Sequence, residues 1–312
     1  MIGEETVDNT IKMKKTLNKR EKDKIFVACL VMLPLIHYLI FYVYVNINSI
    51  FLAFQRYENG RYVWKGFMKF KLLWNEIGNG LLGHFIKNSL VYYVIHTGVG
   101  TTATLFFSYY IFKKRFASKV FKVILFLPSV ISVISIALMY KYICDFAVPQ
   151  IFLKLFDKKI PALASNAKTV LPTVIFFGIW VGFGSGLLLY SGAMSNINDA
   201  IIEAAQIDGA GELRQFFSIV IPMIYPTLSV FIINGIAIIF TSDMHLYAFY
   251  GTDVKNLETA TVGYYLLRKT RSAQSFGEYN VPAAMGVALT AVSIPITFTA
   301  RWLLNKVGPK VD

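Results

Sequence analysis

Few side chains in this 312-residue sequence stand at spacings that could do covalent chemistry. His37, His84, His96 and His245 fall far apart, with no metal-like interval between any two. Core or interfacial positions suit them better than ligation. There is no HExxH, no GxSxG and no paired-carboxylate constellation within an apolar run, so neither metal hydrolysis nor a nucleophile elbow has its residues. GxxxxGK[ST] is missing too, so the chain has no Walker A loop to cradle nucleotide phosphates. Gly182-x-Gly184-x-Gly186 is half of a dinucleotide loop, and Leu187 breaks the pattern. Asp145, Asp243 and Asp253 lie outside or at the ends of apolar runs and read as solvated loop residues. Cys29 and Cys144 form no CxxC and exclude a disulfide scaffold. The expectation is no catalytic residue, no metal ligand and no cofactor in this chain.

The most informative segment is built for docking. It reads Asn198-Asp-Ala-Ile-Ile-Glu203-Ala204-Ala205-Gln206-Ile207-Asp208-Gly209-Ala210-Gly211, then Glu-Leu-Arg214-Gln-Phe216-Phe217-Ser-Ile219-Val-Ile221-Pro222, with Pro226 four residues on. Asn198 can cap a helix whose first turn holds Asp199. Asp208-Gly209 is a strong stop, since glycine supplies the left-handed conformation that ends a helix. A second amphipathic stretch follows, interrupted at Pro222. Ala204 and Ala205 leave the first helix slim enough to enter a cleft. By helix physics alone this could equally be an ordinary connection.

Two further features could bear on passage of a solute. Gly178, Gly182 and Gly186 recur every four residues and share one helical face. That stripe suits close helix packing, or a recess where a solute approaches backbone and stacks on Trp180 or Phe183. Asn234 lies deep in an apolar run, where an unsatisfied amide is costly, so it should face a helix or a cavity.

The elements that must position these residues are membrane spans. The sequence is 55% hydrophobic, 16% charged and 15% aromatic, where a soluble domain carries about 25% charged residues. A net charge of +13 invites a nucleic-acid reading, but Lys and Arg gather between long uncharged runs, as at the water-facing ends of spans. Such runs occur at Ile25–Gln55, Leu90–Phe112, Thr169–Asn198, Phe216–Ser242 and Val281–Ala300. A shorter one, Val123–Tyr140, is flanked by Lys122 and Lys141, which can snorkel. About 20 apolar residues cross a bilayer, so six spans are predicted, in an all-α integral membrane protein. Period-2 alternation is absent, which disfavours a membrane barrel. The apolar run after the basic start is too long for a signal peptide's core. Positive charge is nearly equal on the two sides but densest in Lys12–Lys24 and in Lys113-Lys114-Arg115 with Lys119. Both termini are therefore expected in the cytoplasm, and parity puts the Asn198–Pro222 segment there as well.

Glu203-Ala-Ala-x-x-Asp-Gly209-Ala, with Phe216, Ile219 and Pro222 at these intervals, resembles the EAA loop of ABC importer permeases. The basic N-terminus, Pro34, Leu127-Pro128 and the Gly/Trp-rich fourth span resemble the sugar-permease branch, over roughly residues 15–308. The resemblance implies a type I ABC importer permease: a basic segment 1–24, a six-helix domain 25–304 with a coupling loop at 195–222, and a short tail 305–312. Glu203, Ala204, Ala205, Asp208 and Gly209 would contact a cytosolic ATPase. Gly178, Gly182, Ser185 and Asn234 would sit near positions that contact sugar, with Trp180 available to stack. The implied partners are a second permease in a heterodimer, two ATPase subunits holding ATP and Mg, an extracytoplasmic solute-binding protein and a carbohydrate, in the bacterial plasma membrane with no nucleic acid. Glycerol phosphate or a peptide is the alternative solute. A secondary transporter is the alternative class, though it would not need the EAA loop.

Overall fold

The computed structural model describes residues 19–78, 80–252 and 259–309. Lys12, Lys14, Lys15 and Asp253 lie outside these residues, as do parts of both terminal segments. Six described helices are long and apolar enough to cross a membrane. They are α1 (Lys19–Ala53), α3 (Leu82–Phe112), α5 (Val133–Phe156), α6 (Val170–Ser195), α8 (Glu212–Ala237) and α11 (Phe276–Val307). The chain divides into two units, residues 1–51 and 52–312.

In the first unit α1 is apolar on every side once past the charged Lys19–Lys24 stretch, and no side chain of Lys19–His37 is buried within the protein. A helix without a polar face is one that lipid can solvate. Pro34 removes one donor from its ladder, and the helix widens into a π-helical stretch at Tyr38–Tyr44.

The second unit opens with a hairpin of β1 (Gln55–Glu58) and β2 (Arg61–Trp64). Its antiparallel register pairs Gln55 with Trp64 and Glu58 with Arg61. Asn59 and Gly60 both take positive φ (47° and 80°), the mirror-image turn that matches strand twist. Shorter helices between the spans include α2 (Met68–Gly78), α7 (Asp199–Ile207), α9 (Leu246–Tyr250) and α10 (Val262–Arg271).

The third span departs from expectation. Instead of one helix over Val123–Tyr140, α4 (Ser118–Val130) ends where Ile131 and Ser132 turn extended, and α5 starts afresh and runs on to Phe156. Pro128 gives no N–H to Ile124, so the ladder is already weakened one turn before the break. Lys141 does not end the span, because its ammonium donates to the Phe249 carbonyl (3.2 Å) and sits 4.8 Å from the Tyr250 ring. Nor is Asp145 a free loop residue: it accepts from the Ala164 N–H (2.8 Å) and the Ser165 hydroxyl (2.6 Å). At Pro222 the helix continues, since the π-helical stretch Phe216–Val220 just before it absorbs the mismatch.

Two hydrophobic cores form at opposite ends of α6. One gathers Val174 and Phe177 with Tyr92, Ile136, Phe240, Phe249, Val262 and Tyr264. The other gathers Tyr190 and Met194 with Leu105, Tyr109, Ile202, Phe216, Val220 and Ile224. The middle of α6, between the cores, faces less completely filled space.

Candidate functional site: a coupling loop and an interhelical cavity

Asn198 caps α7 as its sequence predicts, its Oδ1 accepting from the Ala200 N–H at 3.0 Å. Asp208 ends the helix, and Gly209 takes φ +77°, which lets the Ala210 N–H return to the Ala205 carbonyl at 2.9 Å. Glu203, Ala204, Asp208 and Gly209 are exposed. Ala205 faces inward at 8% exposure, beside Ile202 at 7%. The two alanines therefore divide the work: Ala204 slims the outer face, and Ala205 lets the helix lie close on the second core. The outer face carries two apolar groups that the motif did not single out, Ile207 (86% exposed) and Leu213 (68%). Beyond Gly211 the chain re-enters the membrane directly as α8.

Between α3, α6 and α8 lies a cavity of about 200 Å³. Gly182, Phe183, Ser185 and Gly186 line it from α6, His96, Thr97, Thr101 and Thr104 from α3, and Asn234 and Gly235 from α8. A second, of about 260 Å³, shares His96, Thr97, Gly182 and Gly235 and adds Tyr92, Gly178, Ser242, Met244 and His245. The two adjoin along one side of α6. Among the described residues no Asp, Glu, Lys or Arg lines either cavity. Burial pushes the His245 imidazole down from its ordinary range against the opposing pull of Asp243. Met244 and His245 both hold positive φ (53° and 64°) at the rim, uncommon for residues with side chains.

The glycine stripe serves two purposes. A β-carbon at Gly178 would lie 1.7 Å from the Tyr92 hydroxyl, so this position packs tightly on α3. At Gly182 the nearest atom, His96 Nε2, is 3.4 Å away, ordinary contact at a cavity wall. The closest backbone approach falls off the stripe: at Gly184 a β-carbon would meet Phe126 Cα of α4 at 2.9 Å. Ser185 is exposed and donates to the Gly182 carbonyl (3.1 Å). Asn234 is exposed to the cavity and to a groove of about 770 Å³ that Arg301 and Asn305 border. Trp180 stands apart: its ring packs near Tyr140 and Phe177 (6.1 and 6.3 Å) and lines neither cavity.

Sequence reasoning assigned His96 and His245 to core or interface, yet both line the second cavity. A signal was available. Thr97, Thr101 and Thr104 repeat at i, i+4 and i+7, drawing a hydroxyl stripe along an otherwise apolar span. His96 sits beside that stripe, in a π-helical stretch of the kind that often marks functional positions.

Residues 97–312 match the family described as binding-protein-dependent transport system inner membrane component. The chain is 25% identical over 289 residues to the polygalacturonan/rhamnogalacturonan transport system permease protein YteP of Bacillus subtilis, covering 89% of this chain and 88% of that one. It is 24% identical to the multiple sugar-binding transport system permease protein MsmF of Streptococcus mutans, covering 52% of this chain and 56% of that one. Against several curated relatives the chain spans about half of their length (50%, 49% and 56%). A crystal structure of a bacterial ABC transporter involved in import of the acidic polysaccharide alginate shares the fold, with TM-score 0.75, 20% identity, and coverage of 92% of this chain and 98% of that one.

Proposed function

Since the chain belongs to the family of binding-protein-dependent transport system inner membrane components, we propose that it is a permease subunit of a bacterial ABC importer that takes up a carbohydrate. The observation that carries this reading is the direct continuity of an exposed, capped helix, α7, with a span that lines an interhelical cavity. Force applied at α7 from the cytosol reaches the cavity wall through the short Asp208–Gly211 turn and α8. Two cytosolic ATPase subunits hold ATP and Mg, and one of them docks on the outer face of α7 at Glu203, Ala204, Asp208 and Gly209. Ile207 adds an apolar contact at the centre of that face. Ala205 contributes from the inner side, by seating the helix. A second permease completes a heterodimer, and an extracytoplasmic solute-binding protein delivers the substrate. Both termini lie in the cytoplasm of this plasma-membrane protein.

The carbohydrate is favoured by the chemistry of the cavity. Its walls offer threonine hydroxyls, the Asn234 amide, the His96 and His245 imidazoles and the Phe183 ring, with backbone accessible at Gly182 and Gly186. Hydroxyl-rich rings match such walls, being hydrogen-bonded at their edges and apolar on their faces. Phosphate is normally met by Arg, Lys or a helix N-terminus, and these walls carry no such cation. Names of similar permeases that handle multiple sugars and polygalacturonan add support. In this reading Gly182, Ser185 and Asn234 line the path, Gly178 borders it, and Trp180 supports the wall from behind.

The test is uptake by proteoliposomes holding the full complex with its binding protein, offered labelled oligosaccharides, glycerol phosphate and peptides in parallel. ATP-dependent accumulation of an oligosaccharide is expected. Accumulation of glycerol phosphate or peptide alone would overturn the substrate class.

A further inference from the structure

The return of the coupling loop and the basic tip of α3 are joined by a buried glutamine. Gln215 is 3% exposed. Its Nε2 donates to the Ala210 carbonyl at 2.6 Å, and its Oε1 accepts from Lys113 Nζ at 2.6 Å. Beside it Arg115 pairs with the Glu212 carboxylate, and the Tyr109 hydroxyl donates to the Glu212 carbonyl at 3.2 Å. Phe216 completes the contact, its ring 4.9 Å from both Phe106 and Tyr109. Side chains at the cytoplasmic end of α3 thus grip the loop between Ala210 and Phe216.

This grip falls where the chain is otherwise softest. Ala210 is flanked by Gly209 and Gly211, and glycine leaves the backbone free to absorb a displacement as dihedral change. Pinning the Ala210 carbonyl to Gln215, and Gln215 to Lys113, removes that freedom at one stroke. An amide buried with both ends bonded is also costly to disrupt, because each lost partner leaves a polar group unsatisfied. Lys113 itself is drawn out of water here, which pushes its ammonium below the ordinary lysine value despite the pull of Glu212.

We infer that Lys113, Gln215 and the Ala210 carbonyl form a clasp that makes α3 move together with α7 and α8, so that one displacement of the coupling loop drives two walls of the cavity. The inference rests on the reading of α7 as the helix that docks the ATPase. Its geometric basis is that α3 and α8 both line the same cavity, through His96 and Thr97 on one side and Asn234 and Gly235 on the other. Without the clasp, α8 would still follow α7 through the chain, but α3 would be tied to the loop only by the Arg115–Glu212 pair, the Tyr109 bond and ring packing, none of which holds Ala210. Lys113 and Gln215 are positioning residues: they touch neither substrate nor nucleotide.

The experiment compares Lys113→Met, Gln215→Leu, the double variant and Lys113→Arg in the complete reconstituted complex. The first readout is the distance distribution between spin labels at Phe116 and Ile207, both strongly exposed (91% and 86%). This readout needs no transport activity. It should broaden in Lys113→Met and in Gln215→Leu, and be restored in Lys113→Arg. The second readout is sugar moved per ATP hydrolysed, expected to fall several-fold in each single variant. The double variant should be no worse than either single one, because both remove the same link. An unchanged label distribution would overturn the clasp itself. Broadening with an unchanged sugar-to-ATP ratio would overturn its role in transmission, and so would additive losses in the double variant. Should the parent complex move no sugar at all, the proposed function fails, while the label distances still decide the clasp. If Gln215→Leu does not assemble, Lys113→Met carries the test, since it removes one arm and leaves Ala210 bonded.

Discussion

Gly178 and Gly182 stand one helical turn apart, yet a methyl group added at each meets a different neighbour. At Gly178 it would overlap the hydroxyl of Tyr92, a ring 4% exposed and stacked against His96, so the ring cannot simply swing aside. Overpacking of this kind costs about 1–3 kcal/mol, and Gly178→Ala should lower the melting temperature of the detergent-purified complex. A β-carbon in Gly182→Ala would sit 3.4 Å from His96 Nε2, in ordinary contact, and the variant should melt no lower, since alanine is worth about 1 kcal/mol over glycine in a helix. Gly182→Leu is the informative enlargement: the complex should assemble and hydrolyse ATP but move little sugar. A poorly assembled Gly182→Leu complex would assign this glycine to packing instead. Asn234→Leu keeps similar bulk and removes one amide, worth about 0.5–1.5 kcal/mol, so the apparent sugar affinity in uptake should weaken about two- to tenfold. Unchanged affinity would take Asn234 off the path. The spacing of the glycines is legible in the sequence, but their division of labour is not. Which glycine meets a tyrosine and which meets space depends on the facing residues of α3, and helical periodicity carries no information about a neighbouring helix.

At the scale of elements, α7 was readable almost to the residue because its signals are local. A capping Asn198, an acidic first turn and a left-handed Gly209 each act within one turn of themselves. The inward face of Ala205 was not readable, since it is fixed by contact with the second core and the two alanines are chemically alike. The break between α4 and α5 was missed for a related reason. Val123–Tyr140 is apolar throughout, and hydropathy cannot distinguish one crossing helix from two helices that meet at Ile131 and Ser132. Lys141 seemed to close that span because its partner, the Phe249 carbonyl, is 108 residues away. The local logic of α7 yields a prediction. Gly209→Pro imposes a φ near −65° where the chain needs +77°, so the return bond from Ala210 to Ala205 is lost. The variant should insert normally, yet loaded binding protein should no longer stimulate ATP hydrolysis. Glu203→Lys should weaken the same stimulation without disturbing the loop, because Glu203 is exposed and its carboxylate has no role in the cap. Full stimulation in Gly209→Pro would remove α7 from the coupling route.

Across the whole molecule, six spans were visible as runs of hydrophobicity, because the bilayer imposes one length on every crossing element. Orientation is read from a different signal, since lysine and arginine are almost evenly divided between the two sides. It rests on charge density near short loops, and the structure gives that density a second cause. Lys113 and Arg115 are held by Gln215 and Glu212, so this basic tip is a structural joint as well as a topological marker. Charge retained for contact would be present whichever way the protein faced, so orientation needs its own measurement. With Cys29 and Cys144 replaced by serine or alanine, single cysteines at Phe116 and Asp208 should react with a membrane-impermeant maleimide only after the cytoplasmic side is opened. A single cysteine at Lys159, exposed in the connection between α5 and α6, should react in intact cells stripped of any outer barrier. The three sites test parity independently of charge, because α5 and α6 each must cross once for the pattern to hold. Labelling of Asp208 from outside would invert the molecule and leave α7 facing away from any ATPase. Phe116 and Lys159 labelling from the same side would instead mean that nothing between them crosses, removing both α5 and the Val123–Tyr140 segment as a third span.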